Sequence, residues 1–597
     1  MMTPVGIEPR SIERLVTEAR LRNDGLRRRM ERDYQMWRLE WEDPRWADAT
    51  APLGMSKYVS NEPWTLGNRI VSILSSAKLQ ARVPYGANVK LRREFGEAKE
   101  QFFIGCLREA DKRLLSMMMP RLQAALGFYI PIRGWYAGRA MLYQRQEDGR
   151  TGVDISPFDP MHTFYGVDSS GLTWVCHVTW RRPEELLLEY GAPVRVDRES
   201  EENASRGIEV LDFYDRQTNS VVANGAFLKP PTPHGAQSVP CFIGAVGSPP
   251  MIAREAGDGK TDSAAQGESI YTGLREGWST FNMAMSDRLT LTRRSLERSY
   301  VLKSPGGRKR LQKNPYTDGA TEIPLDVNEK LEPLELLEMA KDTDILLQQV
   351  SGELQRAGLP HTVYGELGQT LSGYAITTLN QGHELTVFPY VSALEAAYTQ
   401  IAHLLCYQYG SGMYAPILAM GKVGRQYFQN EIDPAMVSQS DDIEINFTPK
   451  LPKDEPGLFA MAQIAREGPT PLLSDRTIRD EIVKMQNVDD EADLVLEQIG
   501  DKLAPAVMLM QLVELYTKRG DMNKAEYYLQ DLRMMMMQPP GMPGAPAGPG
   551  GPGGPAASAG GGGGPPLPGP PPGMQGPPKR KRPEAKVNRG TPAVNGR

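Results

Sequence analysis

The sequence predicts a mainly helical α+β protein of several domains, in which two long helices flank a small β-containing tip. Three observations predict it. First, Ile270, Leu274, Trp278, Phe281, Met285, Leu289, Thr292 and Leu296 recur at steps of three and four with no proline among them, the signature of a sustained amphipathic helix. Second, Leu336, Ala340, Thr343, Leu347, Val350, Leu354 and Ala357 repeat the pattern. Third, strand-like runs separated by turn residues occupy the chain between 140 and 214, ahead of both helices.

The elements follow in chain order. Residues 11–41 form an amphipathic helix, expected to be exposed, with Ile12, Leu15, Ala19, Leu26 and Met30 on one side. Ten arginines and ten acids offset one another within the first 50 residues. Trp37, Trp41 and Trp46 follow closely and are expected to pack on a neighbour, whether a domain or a subunit. Residues 62–77 and 94–126 read as helices, and 140–144, 153–157, 172–179 and 210–214 as strands. Asp148-Gly149 and Ser170-Gly171 punctuate them. The first long helix, about 30 residues at ~1.5 Å each, makes a rod of roughly 45 Å. Pro333 stands where the second begins, and Gly358 with Pro360 ends it. Between them lie β-like pieces at 299–302 and 322–327. Residues 371–409 are helical again, interrupted near Pro389, and 443–447 alternate as a strand. From 457 to 537 the chain is helical in segments, with Ser474 and Asp475 placed to cap one of them.

Composition sets the class. The chain has 597 residues, room for about three to five domains, with 40% hydrophobic and 24% charged residues. That composition excludes a fibre and a wholly disordered chain. No apolar run approaches the ~18 residues of a membrane span, and the N-terminus lacks a basic-then-apolar leader, so a cytosolic origin is expected. Cys106, Cys176, Cys241 and Cys406 are far apart with no C-x-x-C, and read as buried apolar side chains. Residues 538–578 hold 15 Gly and 15 Pro and cannot bury a core. From Met534 onward seven Lys and Arg face one acid, Glu584, a charge of +6; the 533 residues before carry −11 of the net −5. The run Lys579–Arg582 reads either as a solvated terminus or as a counterion-release contact with nucleic acid.

Catalytic signatures are absent. Gly259-Lys260-Thr261 lacks the first glycine of a P-loop, because position 254 is Arg254. His383-Glu384 fails as a zinc peptidase because position 387 is Val387. His162, His177, His234, His361, His383 and His403 include no pair at helical spacing, so they read as core or surface residues rather than metal ligands. No catalytic residue, metal or cofactor is expected, and the long rods around a small tip suggest a mechanical or assembly role.

The order of elements resembles the portal (head-to-tail connector) protein family of tailed bacteriophages. Ser60-Asn61-Glu62-Pro63 followed by Asn68, Arg69 and Ile70 is similar to the start of the portal wing. Gly134-Trp135-Tyr136-Ala137-Gly138-Arg139-Ala140, then Asp148-Gly149, then Asp154-Ile155-Ser156-Pro157-Phe158-Asp159-Pro160, is similar to the wing's helix, strand, turn and strand. Ser372-Gly373-Tyr374-Ala375 with Pro389 and Leu394-Glu395 resembles the helix beyond the channel loop. Leu473-Ser474-Asp475-Arg476-Thr477 with Val488-Asp489-Asp490-Glu491 resembles the approach to the crown. Together these motifs span the chain between residues 60 and 491.

The resemblance implies a ring, usually dodecameric, at one capsid vertex. It implies an N-terminal helical arm (1–57), an α+β wing (58–267), stem helix 1 (268–298), a clip (299–333) and stem helix 2 (334–358). Then come a channel loop (359–371), a helix and wing return (372–455), a helical crown (456–533) and a disordered Gly/Pro-rich basic tail (534–597). The function implied is to conduct double-stranded DNA during genome packaging and ejection, to dock the terminase motor and later the tail connector, and to nucleate head assembly. The implied partners are the terminase large subunit, the major capsid protein, scaffolding protein, and head-tail adaptor and tail proteins. The protein would reside in the virion, and in the host cytoplasm during assembly. Gly365, Glu366, Gln369 and Thr370 would touch DNA from the channel loop, or belong to an ordinary surface loop. Lys303, Arg308, Lys309, Arg310 and Lys313 in the clip would touch DNA or an acidic partner, or form a solvated turn. An acidic body suits a channel along which DNA must slide, since a wall that gripped phosphates would slow it. Two other classes remain open, another virion structural or adaptor protein and a nucleic-acid-processing enzyme.

Overall fold

A computed structural model describes residues 8–46, 55–83, 89–145, 149–191, 207–247, 266–296, 300–303, 328–333, 341–357, 373–423, 426–438, 443–449 and short stretches between 462 and 533. The chain divides into two units, Met1–Ala492 and Asp493–Arg597. In the second, residues 526–530 are helical, the Tyr527 and Tyr528 rings meet edge to face at 5.4 Å, and Leu532 is buried. The first unit mixes helices and antiparallel sheets. No helix among the described residues is long and apolar enough to cross a membrane.

The arm, at the start of the first unit, is two helices, α1 (Pro9–Arg22) and α2 (Asp24–Trp37), broken at Asn23. The sequence reading made it one exposed helix, and the structure corrects this. Ile12, Val16 and Ala19 of α1 are buried against Phe164, Cys176, Val178, Leu211 and Phe213. The tryptophans likewise pack on this chain. Trp37 donates to Asn68 Oδ1 at 3.2 Å and meets Phe128 edge-on at 5.1 Å. Trp41 is buried and lies 6.5 Å from Trp46.

The main core gathers α3 (Glu62–Ser76), β1 (Lys78–Arg82), α4 (Val89–Ser116) and α5 (Leu122–Arg133) around a sheet of β2 (Trp135–Gln144), β3 (Thr151–Phe158) and β9 (Cys241–Ala245). The expected helix at 94–126 is two. The chain turns between them, with Met118 at φ 58 and Pro120 unable to continue the helix. Phe102, Phe103, Cys106, Ala110 and Leu114 form the buried face of α4. The C-terminus of α5 ends on Gly134 at φ 72, whose amide closes the last turn onto Ile130. That left-handed cap lets β2 start one residue later. A Cβ at Gly134 would lie 2.8 Å from the backbone of Glu268.

β2 is central and pairs antiparallel with both β3 and β9. A second sheet runs as a meander in the order β4 (Thr163–Asp168), β5 (Gly171–Arg181), β6 (Ile208–Asp215), β7 (Thr218–Ala223) and β8 (Ala226–Pro233). Alternation splits its side chains between two faces. Cys176, Val178, Leu211 and Phe213 meet α1, while Ile208, Val210, Val221 and Ala223 meet Leu186 of α6 (Pro183–Tyr190). Between the sheets, Arg139 of β2 bonds Asp154 at 2.7 Å, the Tyr214 hydroxyl, and Asp212 at 3.4 Å. His177 stacks on Phe158 at 4.1 Å.

Two long helices follow, α7 (Arg275–Leu296) and α8 (Lys341–Ala357). The strands β10 (Tyr300–Lys303) and β11 (Lys330–Pro333) lie between them. Then α9 (Gly373–Gly410) runs 38 residues straight through Pro389, where an interruption was expected. The lost amide would have bonded the carbonyl of Leu385, and Leu385 is 76% exposed, so water can take that carbonyl. Beyond Pro389 the buried face of α9 reads Leu394, Ala397, Tyr398, Ile401, Ala402 and Leu405. Two glutamines stitch it to the sheet. Gln408 accepts from Leu142 N and donates to Ala140 O, both at 2.9 Å, and Gln400 accepts from Ile243 N at 3.2 Å. The hairpin β12 (Ile417–Val423) with β13 (Gln426–Ile432), the short α10 (Pro434–Ser438), and β14 (Glu444–Thr448), which pairs with β1, complete the core. Ser474 caps the turn Asp475–Thr477 by accepting from Thr477 N at 3.1 Å.

Candidate functional site

The candidate site is the hairpin formed by α7, the β10–β11 pair and α8. Its helices run antiparallel. Gly277 lies beneath Leu354, and a Cβ there would sit 3.2 Å from Leu354 Cδ2. Further along, Met285 and Leu347 line the same groove. The strands continue that pairing, with Tyr300 opposite Pro333 and Lys303 opposite Lys330. Helix, strand pair and helix thus form one antiparallel hairpin. The α7 helix has 22 residues, so it is a rod of about 33 Å rather than the expected 45 Å. Residues 269–274 fold as turns ahead of it, with Leu274 N on Tyr271 O at 2.9 Å.

Ionic clamps fix the base of α7. Asp33 of α2 is fully buried and takes Arg275 Nε at 2.7 Å and Nη2 at 2.8 Å, together with the Ser269 hydroxyl at 2.7 Å. Planar two-point pairing of this kind is the strongest form of carboxylate recognition. A second clamp lies farther along. Arg45 bonds Asp287 at 2.9 and 3.1 Å and buried Asp43 at 2.6 Å. The hydrogen bonds from Arg45 hold the Asp43 carboxyl below the usual carboxylate range, and both carboxylates hold Arg45 charged. Trp41 donates to Ser279 Oγ at 3.2 Å and the Tyr271 hydroxyl to Pro63 O at 2.9 Å.

A groove of about 490 Å³ opens between the helices, lined by Phe281, Met285 and Arg288 on one side and Leu347, Ser351 and Gly352 on the other. Leu289 of α7 and Ile345 and Leu346 of α8 are 43%, 54% and 47% exposed. Of these only Leu289 belongs to the apolar stripes read from the sequence; Ile345 and Leu346 lie outside them.

Of the expected clip cluster, Lys303 is described. It is exposed at the end of β10 and pairs with Glu332 across the ladder, and that hydrogen bond lowers the Glu332 carboxyl. Arg308, Lys309, Arg310 and Lys313, the strand piece at 322–327, and the loop residues Gly365, Glu366, Gln369 and Thr370 lie outside the described residues, as does the basic tail. Among the described residues no three His, Cys, Asp or Glu are grouped to hold a metal ion. Cys106, Cys176 and Cys241 are buried and Cys406 half-buried. Burial pushes the thiols of Cys106, Cys176 and Cys241 up.

No family model matches the chain, and no curated protein does. Among solved structures it is similar to a chain in the virion of a native gene transfer agent particle, at 12% identity and a TM-score of 0.35, over 70% of this chain and 88% of that one. It is also similar to a chain in the neck of an empty gene transfer agent particle, at 12% identity and a TM-score of 0.38, over 70% and 89%.

Proposed function

We propose that the chain is a portal subunit, a non-enzymatic building block of a ring through which double-stranded DNA enters and leaves a phage-type capsid. The observation that carries the reading is the antiparallel hairpin built from α7, the β10–β11 pair and α8, clamped at its base by Asp33–Arg275 and bearing exposed Leu289, Ile345 and Leu346. A hairpin of this kind has little core of its own. It gains stability when copies pack side by side around an axis, which buries Leu289, Ile345 and Leu346. In such a ring the helix pairs are the channel wall and the tips are the docking ring for an ATP-driven packaging motor and, later, for tail proteins. The clip (299–333) and channel-loop (359–371) segments are assigned on the sequence resemblance alone. Their basic residues (Arg308, Lys309, Arg310, Lys313) and polar residues (Glu366, Gln369, Thr370) are the proposed contacts to DNA or to the motor. The net charge of −11 before Met534 favours passage of DNA over binding.

Native mass spectrometry of the purified full chain tests the reading. A closed ring near twelve times 66.1 kDa is expected. A monomer at every concentration and salt condition contradicts it.

A further inference from the structure

Serine and threonine inside a helix usually turn their hydroxyl back onto the carbonyl four residues earlier. Thr280 and Thr292 of α7 do so, at 3.1 Å to Glu276 O and 2.9 Å to Arg288 O, and both are exposed. Ser286 and Thr290 make the same bond, at 2.7 Å to Asn282 O and 2.8 Å to Ser286 O, yet both are buried. With the hydroxyl proton committed along the helix, a lone pair is left pointing outward. That lone pair is used. Ser56 N donates to Thr290 Oγ1, Tyr58 N to Ser286 Oγ and Ser60 N to Asn282 Oδ1, each at 2.9 Å.

Residues 56, 58 and 60 are thus read by positions 290, 286 and 282. Alternate amides of an extended segment meet every fourth residue of a helix, running antiparallel. The match has a geometric basis. Four helical residues rise ~6.0 Å, and two extended residues rise ~6.6 Å. Successive rungs drift by only about 0.6 Å, so three stay in step where a much longer ladder would not. Trp278 extends the contact by donating to Ser60 O at 3.2 Å, and Tyr58 meets Phe281 edge-on at 6.3 Å. Asn282 is fully buried, and its Nδ2 finds no acceptor among the described residues. This is a cost that the amide from Ser60 offsets.

We infer that Asn282, Ser286 and Thr290 form a peptide-binding rail on α7 that holds an extended strand by its backbone, and that residues 56–60 are its occupant, a strap tying the N-terminal arm to the helix. The rail recognises the N–H groups of alternate residues, so the strap's grip depends on which positions carry an amide. The inference stands whether or not the chain forms a ring.

Hydrogen–deuterium exchange of the full chain, read over residues 55–61, tests it. In Ser286→Ala/Thr290→Val the exchange rises about tenfold or more, ~1.4 kcal/mol by the tenfold constant. In Thr280→Val/Thr292→Val, the same chemistry on the exposed side of the helix, it stays at the wild-type rate. A proline pair reads the alternation directly, because proline removes the amide. Ser56→Pro speeds exchange at Tyr58 and Ser60, and Val59→Pro, at a position outside the ladder, does not. Equal exchange in the two hydroxyl variants, or equal loosening by the two prolines, overturns the inference. If the rail variant does not fold, the proline pair alone decides.

Discussion

His177 lies against Phe158 with its ring half-buried, and its imidazole is pushed down to about 3 by desolvation first and then by the charge of His162. Its ordinary value is 6.5. Between pH 6.5 and 3 the unfolded chain therefore binds a proton that the folded chain refuses, and stability falls as pH falls, by at most ~1.4 kcal/mol per pH unit. Burial pushes His162 and His234 in the same direction. Urea midpoints taken from pH 7.5 to 5 should decline in the wild type, and His177→Phe should decline less steeply by up to one proton's worth. Identical slopes would mean that the native ring is already protonated. Arg139 is a second sensitive point. Arg139→Met leaves Asp154 with Arg113 as its ion-pair partner and takes from Asp212 its Arg139 partner, a loss of up to about 3–5 kcal/mol by analogy with other broken buried ion pairs, to be read by chemical denaturation. At this scale the sequence was partly legible. Ser474 could be read as a cap because its bond is local, to Thr477. The Asp33–Arg275 pair spans 242 positions, and among ten acids in the first 50 residues nothing local marks Asp33 as buried.

At the scale of elements, helices were read more readily than strands, for a physical reason. An amphipathic stripe of five turns gives many matches to a 3.6-residue period. The six residues of β7, Thr218–Ala223, are buried throughout and show no alternation to detect. Strands β12 and β13, which do vary along their length, went unread as well. Proline misled the reading at 389, because a break is expected only if the orphaned carbonyl lies in the core. The dense charges of the arm suggest exposure, whereas burial depends on one face of each helix, Ile12, Val16 and Ala19 in α1 and Leu26, Met30, Asp33 and Met36 in α2. For the hairpin, Leu354 is the residue that keys α8 over Gly277 and is 2% exposed. Leu354→Ala should cost about 2–4 kcal/mol through transfer and cavity terms and should speed amide exchange throughout 341–357. Exchange unchanged along that helix would show that the two helices are held by other contacts. Gly134→Ala places a side chain at φ 72 against the backbone of Glu268, and should lower the melting temperature by several degrees, as expected for ~1–3 kcal/mol of local strain.

At the scale of the whole molecule the sequence joins 533 residues of net charge −11, which include the α7–α8 hairpin, to a basic Gly/Pro-rich end. On the proposed portal reading, deleting residues 299–333 leaves assembly of the body intact and abolishes engagement of the packaging motor, measured as loss of DNA uptake by heads carrying the variant. Normal packaging by such heads would remove the tip from the docking role. The sequence motifs reached this level through resemblance, since a single chain reveals neither an axis nor its neighbours. The most direct measurement is an electron cryo-microscopy reconstruction of the purified particle. The account requires copies arranged about an axial hole, with α7 and α8 of every copy lining it and Leu289, Ile345 and Leu346 covered by the next copy. A particle with no hole, or with those helices on its outer rim and their apolar side chains in solvent, would contradict it.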